Sequence, residues 1–418
     1  MRNRRLVGLV FLVFFVISFL TNILGPLIPD VISSFSLSLT LAAFLPFSFF
    51  LAYGFMSIPA GIFVERFREK AAMLVSFVIA FLGALAFALV PTFGVALAAL
   101  FGIGVGMAIL QVAINPLLRV TGGEEHFAFN SVLAQLVFGL ASFVSPYVYS
   151  YLVSGLKEPV AQHGGIVALL AAVVPTGMPW VSLYWVFAVI TLVMIFVIAL
   201  SRFPAVERKD DERTGAWETH RLLLRNRTVI LFFLGIFAYV GTEQGIANWI
   251  SKFLAVYHGI DPQTVGASAV AWFWGMMTVG CLLGLLLLRL FDSRLVLRWF
   301  VTAAVIFLTA ALFGSAELAR IAFPLLGFSA SVMWSTIFSL ALNSVDRYHG
   351  SFSGILCTAI TGGAVISLLI GWLGDRFGLR WGMCVLYLTL GYIFSVGVWA
   401  KPLIPNATRS NDRKKALA

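Results

Sequence analysis

One acidic residue, Glu243, interrupts a long apolar stretch of this sequence. It lies in the run FAYVGTEQGIANW, which follows TVILFFLGI and precedes ISKFLAVY. An ionised carboxylate in the middle of a membrane costs at least about 2.5 kcal/mol, so residues of this kind are commonly functional. The cost is relieved if the side chain faces a water-filled cavity, pairs with a cation or holds a proton. The apolar runs contain no Lys or Arg at depth, which leaves the cavity and the proton.

The neighbours of Glu243 extend a polar surface along the same helix. Tyr239 precedes Glu243 by four residues and therefore shares its face, which places the tyrosine hydroxyl within reach of the carboxyl group. Gln244 and Asn248 form an adjacent polar stripe. We assign Glu243 and Tyr239 to the binding of a coupling ion, a proton or, less favoured, sodium. The alternative is a protonated glutamate that only bonds to a facing helix as a packing contact.

A second set of residues is suited to binding a neutral, hydroxyl-rich solute. Amides donate and accept hydrogen bonds without carrying charge, and tryptophan rings supply flat apolar faces. The absence of deep cations disfavours an anionic substrate. For any single tryptophan, packing or a position at the membrane interface is the alternative. The predicted substrate-binding residues are Asn22, Gln111, Asn115, Gln135, Gln244, Asn248, Trp249, Trp272 and Trp334.

The composition indicates that these residues lie in segments that span a membrane. The chain has 418 residues, of which 61% are hydrophobic and 11% charged, whereas soluble domains have about 45–50% and 25%. Runs of about 20 apolar residues can cross a bilayer. Twelve such runs lie near 6–28, 40–63, 71–91, 95–118, 127–153, 181–201, 228–251, 267–288, 296–316, 321–345, 352–373 and 381–400. The stretch 164–176 is too short to span and is interpreted as a surface loop or an interfacial helix.

The distribution of basic residues predicts the orientation. With both termini in the cytoplasm, 23 of the 28 Lys and Arg residues fall on the cytoplasmic side, as the positive-inside rule requires. This asymmetry also accounts for the net charge of +10 without nucleic acid as a partner. We expect these residues to contact anionic membrane lipids.

The predicted fold is an all-α membrane protein of two six-helix bundles. The N-terminal bundle comprises residues 1–202 and the C-terminal bundle residues 227–401, joined by a cytoplasmic linker at 203–226 and followed by a tail at 402–418. The basic start and long apolar run at the N-terminus indicate a first span rather than a cleaved signal. Cys281, Cys357 and Cys384 all fall in apolar runs and read as small core residues. We expect no metal, no cofactor and no enzymatic activity.

The sequence resembles the major facilitator superfamily of transporters over nearly its whole length. The stretch GIFVERFREK, after the second run, is similar to the superfamily's loop signature of Gly, three residues, an acid and Arg. Arg68 stands where a glycine is usual. The resemblance implies the major facilitator fold and a conformational role for Gly61, Glu65 and Arg66 in latching the two halves at the cytoplasmic side.

Four stretches resemble the fucose–galactose–glucose:proton symporter (fucose permease-like) family within that superfamily. They are AINPLLRVTGGEEHFAFN, YVGTEQGIANW, WFWGMMTVGCLLG and STIFSLALN with GSFSGILCTAITGGAV. Several positions depart from the pattern of the relatives. Gln111 replaces a glutamate, Gly25 an aspartate, Leu133 a glutamine and Cys281 an arginine, whereas Glu243 replaces a glutamine. The acid of this chain is thus in its second half rather than its first.

These observations predict a secondary transporter in the cell membrane. The resemblance implies that two bundles rock around a central site built from spans 1, 4, 7 and 10, and we expect a monomer. The predicted substrate is a small neutral sugar or polyol, moved with a proton or sodium. The first alternative is a proton-driven exporter of small amphipathic or cationic compounds, in which Glu243 attracts the cation. The second is a membrane receptor or enzyme that moves no solute.

Overall fold

The computed structural model describes residues 4–122, 127–158, 164–203 and 217–403, and within these ranges the chain forms α-helices and short turns but no strand. The N-terminal half contains α1 (Arg4–Thr21), α2 (Leu24–Phe35), α3 (Leu39–Leu89), α4 (Phe93–Gly122), α5 (Phe127–Lys157), α6 (Gly165–Ala171) and α7 (Ser182–Leu200). The linker and the C-terminal half contain α8 (Trp217–Leu223), α9 (Arg227–Ala247), α10 (Ile250–His258), α11 (Ala267–Leu290), α12 (Ser293–Phe313), α13 (Ala316–Ala330), α14 (Met333–Leu342), α15 (His349–Thr358), α16 (Gly362–Phe377), α17 (Leu379–Met383) and α18 (Val385–Trp399).

These helices make twelve membrane spans. The described ranges contain 11 helical segments that are long and apolar enough to cross a membrane. One of them, α3, has 51 residues and at 1.5 Å per residue would be roughly 77 Å long, more than twice the thickness of the hydrocarbon core. It crosses twice, reversing at Arg68, whose φ of 65° and ψ of 164° are not helical. The predicted all-α fold of twelve spans is confirmed.

The spans are numbered in chain order. Span 1 comprises α1 and α2, spans 2 and 3 are the two parts of α3, and spans 4, 5 and 6 are α4, α5 and α7. Span 7 comprises α9 and α10, spans 8 and 9 are α11 and α12, and spans 10, 11 and 12 are the pairs α13–α14, α15–α16 and α17–α18. The stretch 164–176 contains only the seven-residue α6. Most of the predicted linker, 204–216, and the tail from 404 lie outside the described residues.

The bundle has two faces. Because the number of spans is even, span 1 begins and span 12 ends at the same face, which we call the terminal face; the other is the far face. Lys70, just after the reversal of α3, donates hydrogen bonds of 2.8 Å to the main-chain oxygens of Ala199 and Ser201 at the end of span 6. The main-chain nitrogen of Leu403 donates to the Asn343 oxygen at 2.7 Å. The start of span 3 therefore lies against the end of span 6, and the segment after span 12 lies against the end of span 10, in both cases at the terminal face.

Four spans are interrupted near their middles. The breaks fall at Asn22–Ile23 in span 1, Asn248–Trp249 in span 7, Ser331–Val332 in span 10 and Ala359–Thr361 in span 11. Non-helical backbone at membrane depth is tolerated only where protein covers it or where it lines a cavity. The breaks thus mark the part of the bundle where a cavity is expected.

The two halves meet along three pairs of spans. Span 1 contacts span 7, where Gly25 packs on the main chain of Ala247. Span 2 runs beside span 11 and span 5 beside span 8, each pair in close contact. Between spans 5 and 8, Gly275 packs against the ring of Phe143, which leaves no room for a larger residue at position 275. Close helix contacts at small residues are the usual means of association in a membrane.

Candidate functional site

A cavity of about 670 Å³ lies between the two halves. Spans 1, 2, 4 and 5 line it from the N-terminal half, and spans 7, 8, 10 and 11 from the C-terminal half. Residues at the helix breaks, including Asn22, Ser331 and Ile360, form part of its wall. Its volume is in the range of small-molecule sites, about 300–1,000 Å³.

Glu243 projects into this cavity from span 7. Among the lining side chains that the structure describes, it is the only acid, and there is no Lys, Arg or His. Gln244 donates a hydrogen bond from Nε2 to Glu243 Oε1 at 2.9 Å, and the Tyr239 hydroxyl is within hydrogen-bonding reach of the carboxylate. Tyr239 and Gln244 are only 3% and 4% exposed. Two buried donors therefore hold a carboxylate that water can reach.

Amide side chains surround the cavity on both halves. Asn22, Gln111 and Gln135 line it from spans 1, 4 and 5, and Gln244 lines it from span 7. Asn22 is fixed by a hydrogen bond of 2.8 Å from its Nδ2 to the Ser142 hydroxyl. These amides and Glu243 are predicted site residues that the fold brings together.

Span 10 adds a stripe of hydroxyl groups that the sequence analysis did not identify. Ser331, Ser335 and Ser339 line the cavity at intervals of four residues, and Asn343 continues the stripe to the terminal face. Asn343 Nδ2 lies 3.4 Å from the Ser339 hydroxyl. The sequence contained a sign of this stripe in the four-residue spacing of its members, because residues four apart share a face of a helix.

Two tryptophans line the cavity. Trp334 stacks on Phe338 with ring centroids 5.8 Å apart, and its ring lies 6.0 Å from that of Tyr239. Trp274 of span 8 is the second. Trp274 is 4% exposed, and its indole N–H has no hydrogen-bond partner among the described residues.

Three other predicted site residues, Trp249, Trp272 and Asn248, are not part of the cavity wall. Trp272 is 47% exposed and packs edge-on against Phe143, 5.2 Å between ring centroids. Trp249 is fully buried at the break in span 7, and Asn248 there donates from Nδ2 to the Ser367 hydroxyl at 3.3 Å. Asn115 belongs to α4, but its side chain lies outside the described residues.

The cavity is closed at the far face and extends towards the terminal face. Its wall continues through Ser339, Leu342 and Asn343 at the terminal end of span 10. At the far face, Asp30 of the N-terminal half accepts a hydrogen bond of 2.7 Å from Gln263 Nε2 of the C-terminal half. Asp30 also accepts from the Tyr149 hydroxyl at 2.5 Å, and Lys157 donates to Gln263.

Comparison with known proteins identifies this architecture. The model of the Major Facilitator Superfamily matches residues 10–367. The chain belongs to this superfamily. The glucose/galactose transporter of Brucella abortus biovar 1 (strain 9-941) is 31% identical over 403 residues, 93% of this chain and 92% of that protein. The L-fucose-proton symporter of Escherichia coli (strain K12) is 24% identical over 386 residues, 87% of this chain and 86% of that protein.

A solved structure of a superfamily member has the same fold. The crystal structure of the E. coli fucose:proton symporter superposes with a TM-score of 0.68 at 22% identity, covering 94% of this chain and 98% of that one. The predicted resemblance to the superfamily and to its fucose permease-like members is thereby confirmed. The relatives that we compare are transporters, and this chain is a multi-pass membrane protein of the same superfamily.

The superfamily's loop signature lies at the terminal face, where spans 2 and 3 join. Gly61 is buried, whereas Glu65 and Arg66 are exposed. The Arg66 guanidinium lies over the Phe67 ring, 5.4 Å from its centroid. Arg68 occupies the place of the usual glycine with φ 65° and ψ 164°, a backbone region that is essentially restricted to glycine. The backbone here thus has a conformation that suits the glycine implied by the resemblance, although the residue is arginine.

Gly25 departs from the fucose permease-like pattern for a visible reason. Its Cα faces the Ala247 carbonyl so closely that any Cβ would overlap the oxygen. An aspartate, which the resemblance implies at this position in relatives, does not fit this arrangement of spans 1 and 7. The acid that lines the cavity in this chain is Glu243, little more than one helical turn before the same break in span 7.

Proposed function

We propose that this protein is a secondary active transporter that moves a small neutral sugar or polyol together with a proton by alternating access. The observation that carries the proposal is Glu243, which is the one carboxylate among the described lining residues of a central cavity whose other polar side chains are uncharged amides, hydroxyls, indoles and a thiol. The relatives named above include a glucose/galactose transporter and an L-fucose-proton symporter. A hexose is therefore the first substrate to test.

The lining of the cavity favours a neutral, hydroxyl-rich substrate. The described lining residues offer no cation for an anionic substrate. Asn22, Gln111, Gln135 and Gln244 can each donate and accept hydrogen bonds, as sugar hydroxyls do. The faces of Trp334 and Trp274 can pack against the apolar face of a sugar ring. These residues form the proposed substrate site.

The surroundings of Glu243 favour a proton over sodium. Both neighbours, Gln244 and Tyr239, direct donor groups at the carboxylate, whereas a sodium ion would need several oxygen ligands in their place. A protonated Glu243 is neutral and can be enclosed when the cavity closes. An ionised Glu243 is costly to bury and keeps the cavity hydrated. Proton binding would thereby be linked to reorientation of the loaded carrier.

The proposed motion is a rocking of residues 1–202 against residues 227–401. The positive-inside rule favours a cytoplasmic location for the terminal face. The structure would then represent a state that is open to the cytoplasm and closed outside. The loop signature at Gly61, Glu65 and Arg66 would act when the cytoplasmic side closes. We further propose that the monomer is the transporting unit and that anionic lipids contact its basic face.

The test is a pair of transport assays with purified protein in liposomes. Glu243→Gln should abolish accumulation of a hexose driven by a proton gradient and should spare exchange of labelled for unlabelled hexose. Glu317→Gln, at an exposed acid at the start of α13, is the control and should retain both activities. If Glu243→Gln still concentrates the hexose, coupling through Glu243 is wrong.

The second candidate function is proton-driven export of small amphipathic cations. The same carboxylate among the rings of Trp274, Trp334 and Phe338 could attract such a compound. The liposome assays separate the two candidates. Export predicts that an imposed proton gradient drives a cationic dye and leaves hexoses unmoved.

A further inference from the structure

A seven-residue pattern occurs twice in the chain, at opposite faces of the bundle. Residues 61–67 read GIFVERF and residues 371–377 read GWLGDRF, so both contain Gly, three residues, an acid, Arg and Phe. The first copy ends span 2 at the terminal face, in the N-terminal half. The second ends span 11 at the far face, in the C-terminal half. The functional site described above uses no residue of the second copy.

The acid of the second copy, Asp375, bonds to the opposite half of the protein. Its Oδ1 accepts a hydrogen bond from the Leu39 nitrogen at 2.8 Å. Its Oδ2 accepts from the Thr40 nitrogen at 2.8 Å and from the Thr40 hydroxyl at 2.5 Å. Leu39 and Thr40 are the first residues of span 2. Three hydrogen bonds from one carboxylate therefore connect the end of span 11 to the start of span 2.

The start of span 2 presents hydrogen-bond donors that suit such a carboxylate. The first N–H groups of a helix have no partner within the helix, and the helix dipole favours negative charge there. Ser38, in the same half, satisfies the Leu41 nitrogen at 3.2 Å. The nitrogens of Leu39 and Thr40 obtain their partner from Asp375. If the two halves separated at the far face, both N–H groups would lose this partner and would bond to water instead.

The backbone is shaped to bring Asp375 to this position. Gly371 lies four residues before Asp375, on the same face of span 11. A Cβ atom at Gly371 would lie 2.6 Å from the Leu39 oxygen and 2.8 Å from the Ala43 Cβ. The main chains of spans 2 and 11 therefore touch one helical turn from the carboxylate.

We infer that Asp375 is a positioning residue for transport, which holds the far face closed and must release span 2 before that face can open. The inference rests on the alternating access proposed above. Loss of three hydrogen bonds between the halves should raise the ratio of far-open to far-closed protein roughly tenfold or more. Glu243 and the substrate site are not altered by such a change.

The test measures the separation of the halves at the far face in the full-length protein. Spin labels are attached at Gly94→Cys and Glu317→Cys, which lie at exposed far-face positions in opposite halves, after replacement of Cys281, Cys357 and Cys384. Pulsed electron resonance then gives the distribution of distances. Asp375→Ala should increase the longer-distance population roughly tenfold. Thr40→Val, which removes one of the three bonds from the other half, should give a smaller change in the same direction.

Asp292→Ala is the matched control. Asp292 is also an aspartate that accepts hydrogen bonds at the start of a helix, but it lies at the terminal face and its partner Arg294 is in its own half. The control should leave the distance distribution unchanged. An unchanged distribution in Asp375→Ala, or an equal change in Asp292→Ala, overturns the inference.

The same preparations separate this inference from the proposed function. The distance measurement needs neither sugar nor proton gradient. If Asp375→Ala shifts the populations but the unsubstituted protein accumulates no hexose, the role of Asp375 is supported and the proposed substrate is wrong. If the protein accumulates hexose and Asp375→Ala leaves the populations unchanged, the proposed function is supported and the role of Asp375 is wrong.

Discussion

Gly25 of span 1 packs directly on the main chain of Ala247, at the break in span 7. The contact joins the two halves just beyond the cavity, on its far-face side. Because a side chain at position 25 would overlap the Ala247 carbonyl oxygen, the closed far face depends on glycine here. The pair Gly25–Ala247 therefore holds spans 1 and 7 together just beyond the cavity.

Gly25→Ala should destabilise the protein by about 1–3 kcal/mol, the usual cost of forcing an extra methyl group into a packed site. Thermal unfolding of the purified protein measures the change. Gly8→Ala in the same span is the control, since a Cβ there meets nothing within 4 Å. The control should be neutral or stabilising by up to about 1 kcal/mol, because alanine is the better helix former. Equal effects at both positions would contradict the close contact.

Trp274→Phe should weaken hexose binding about two- to tenfold, because the smaller ring offers less apolar surface to the sugar. The substitution keeps an aromatic ring in the cavity wall and shortens its apolar face. Trp272→Phe, two residues away on the exposed side, should leave binding unchanged. Isothermal calorimetry with D-glucose, D-galactose and L-fucose measures both variants. If only Trp272→Phe weakened binding, Trp272 rather than Trp274 would face the substrate.

Arg68→Gly should stabilise the protein by about 1 kcal/mol. A non-glycine residue in this backbone region costs about 1–3 kcal/mol, and glycine returns about 0.5–1 kcal/mol of that through the entropy of the unfolded chain. Arg66→Gly, in helical backbone, should instead cost about 1 kcal/mol. We expect Arg68→Gly to raise the melting temperature and Arg66→Gly to lower it. A lower melting temperature in Arg68→Gly would exclude a strained turn at Arg68.

Asp292 gives a pH dependence outside the membrane spans. It precedes α12 and accepts hydrogen bonds from the Arg294 main-chain nitrogen at 2.8 Å and from the Arg294 guanidinium at 3.0 and 3.1 Å. The guanidinium is the largest cause that holds the pKa of Asp292 below its usual value. A lowered folded pKa stabilises the protein above the unfolded pKa of about 3.9 and loses this effect as pH falls through the folded pKa.

Asp292→Ala should therefore cost about 1 kcal/mol at pH 7, the value of a helix cap. The difference from the unsubstituted protein should shrink below about pH 4, where Asp292 takes up a proton in the unfolded chain, and should be lost below the lower pKa of the folded state. Asp346→Ala, at an exposed position before span 11, should have little effect at either pH. Unfolding curves of the three proteins at pH 7 and pH 3 test this. A difference that grows on acidification would contradict the assigned sign.

Hydropathy was sufficient to predict the twelve spans, because crossing a bilayer requires long apolar runs whatever their packing. It also identified Glu243, since one acid at depth is conspicuous. The rotation of each helix was harder to predict. Lipid is as apolar as a protein core, so both faces of span 8 are apolar, and the sequence alone does not separate Trp272, on the exposed face, from Trp274, in the cavity wall.

Features that depend on the opposite half were not predictable from local sequence. The break in span 7 buries Asn248 and Trp249, and it forms where span 1 presses Gly25 against Ala247. In the sequence Asp375 is one of several charged loop residues, and only the structure shows that it bonds to the start of span 2. Both arise from contacts between residues more than 200 positions apart, which periodicity along the chain does not record.

The solitary acid in the cavity also sets a limit on the work the carrier can do. With one titratable carboxylate among the described lining residues, each cycle can move at most one proton with its sugar through that group. A one-to-one symporter of a neutral solute can concentrate it at most about tenfold for every 59 mV of proton-motive force. As the proposed coupling group, Glu243 would thus fix the thermodynamic ceiling of uptake.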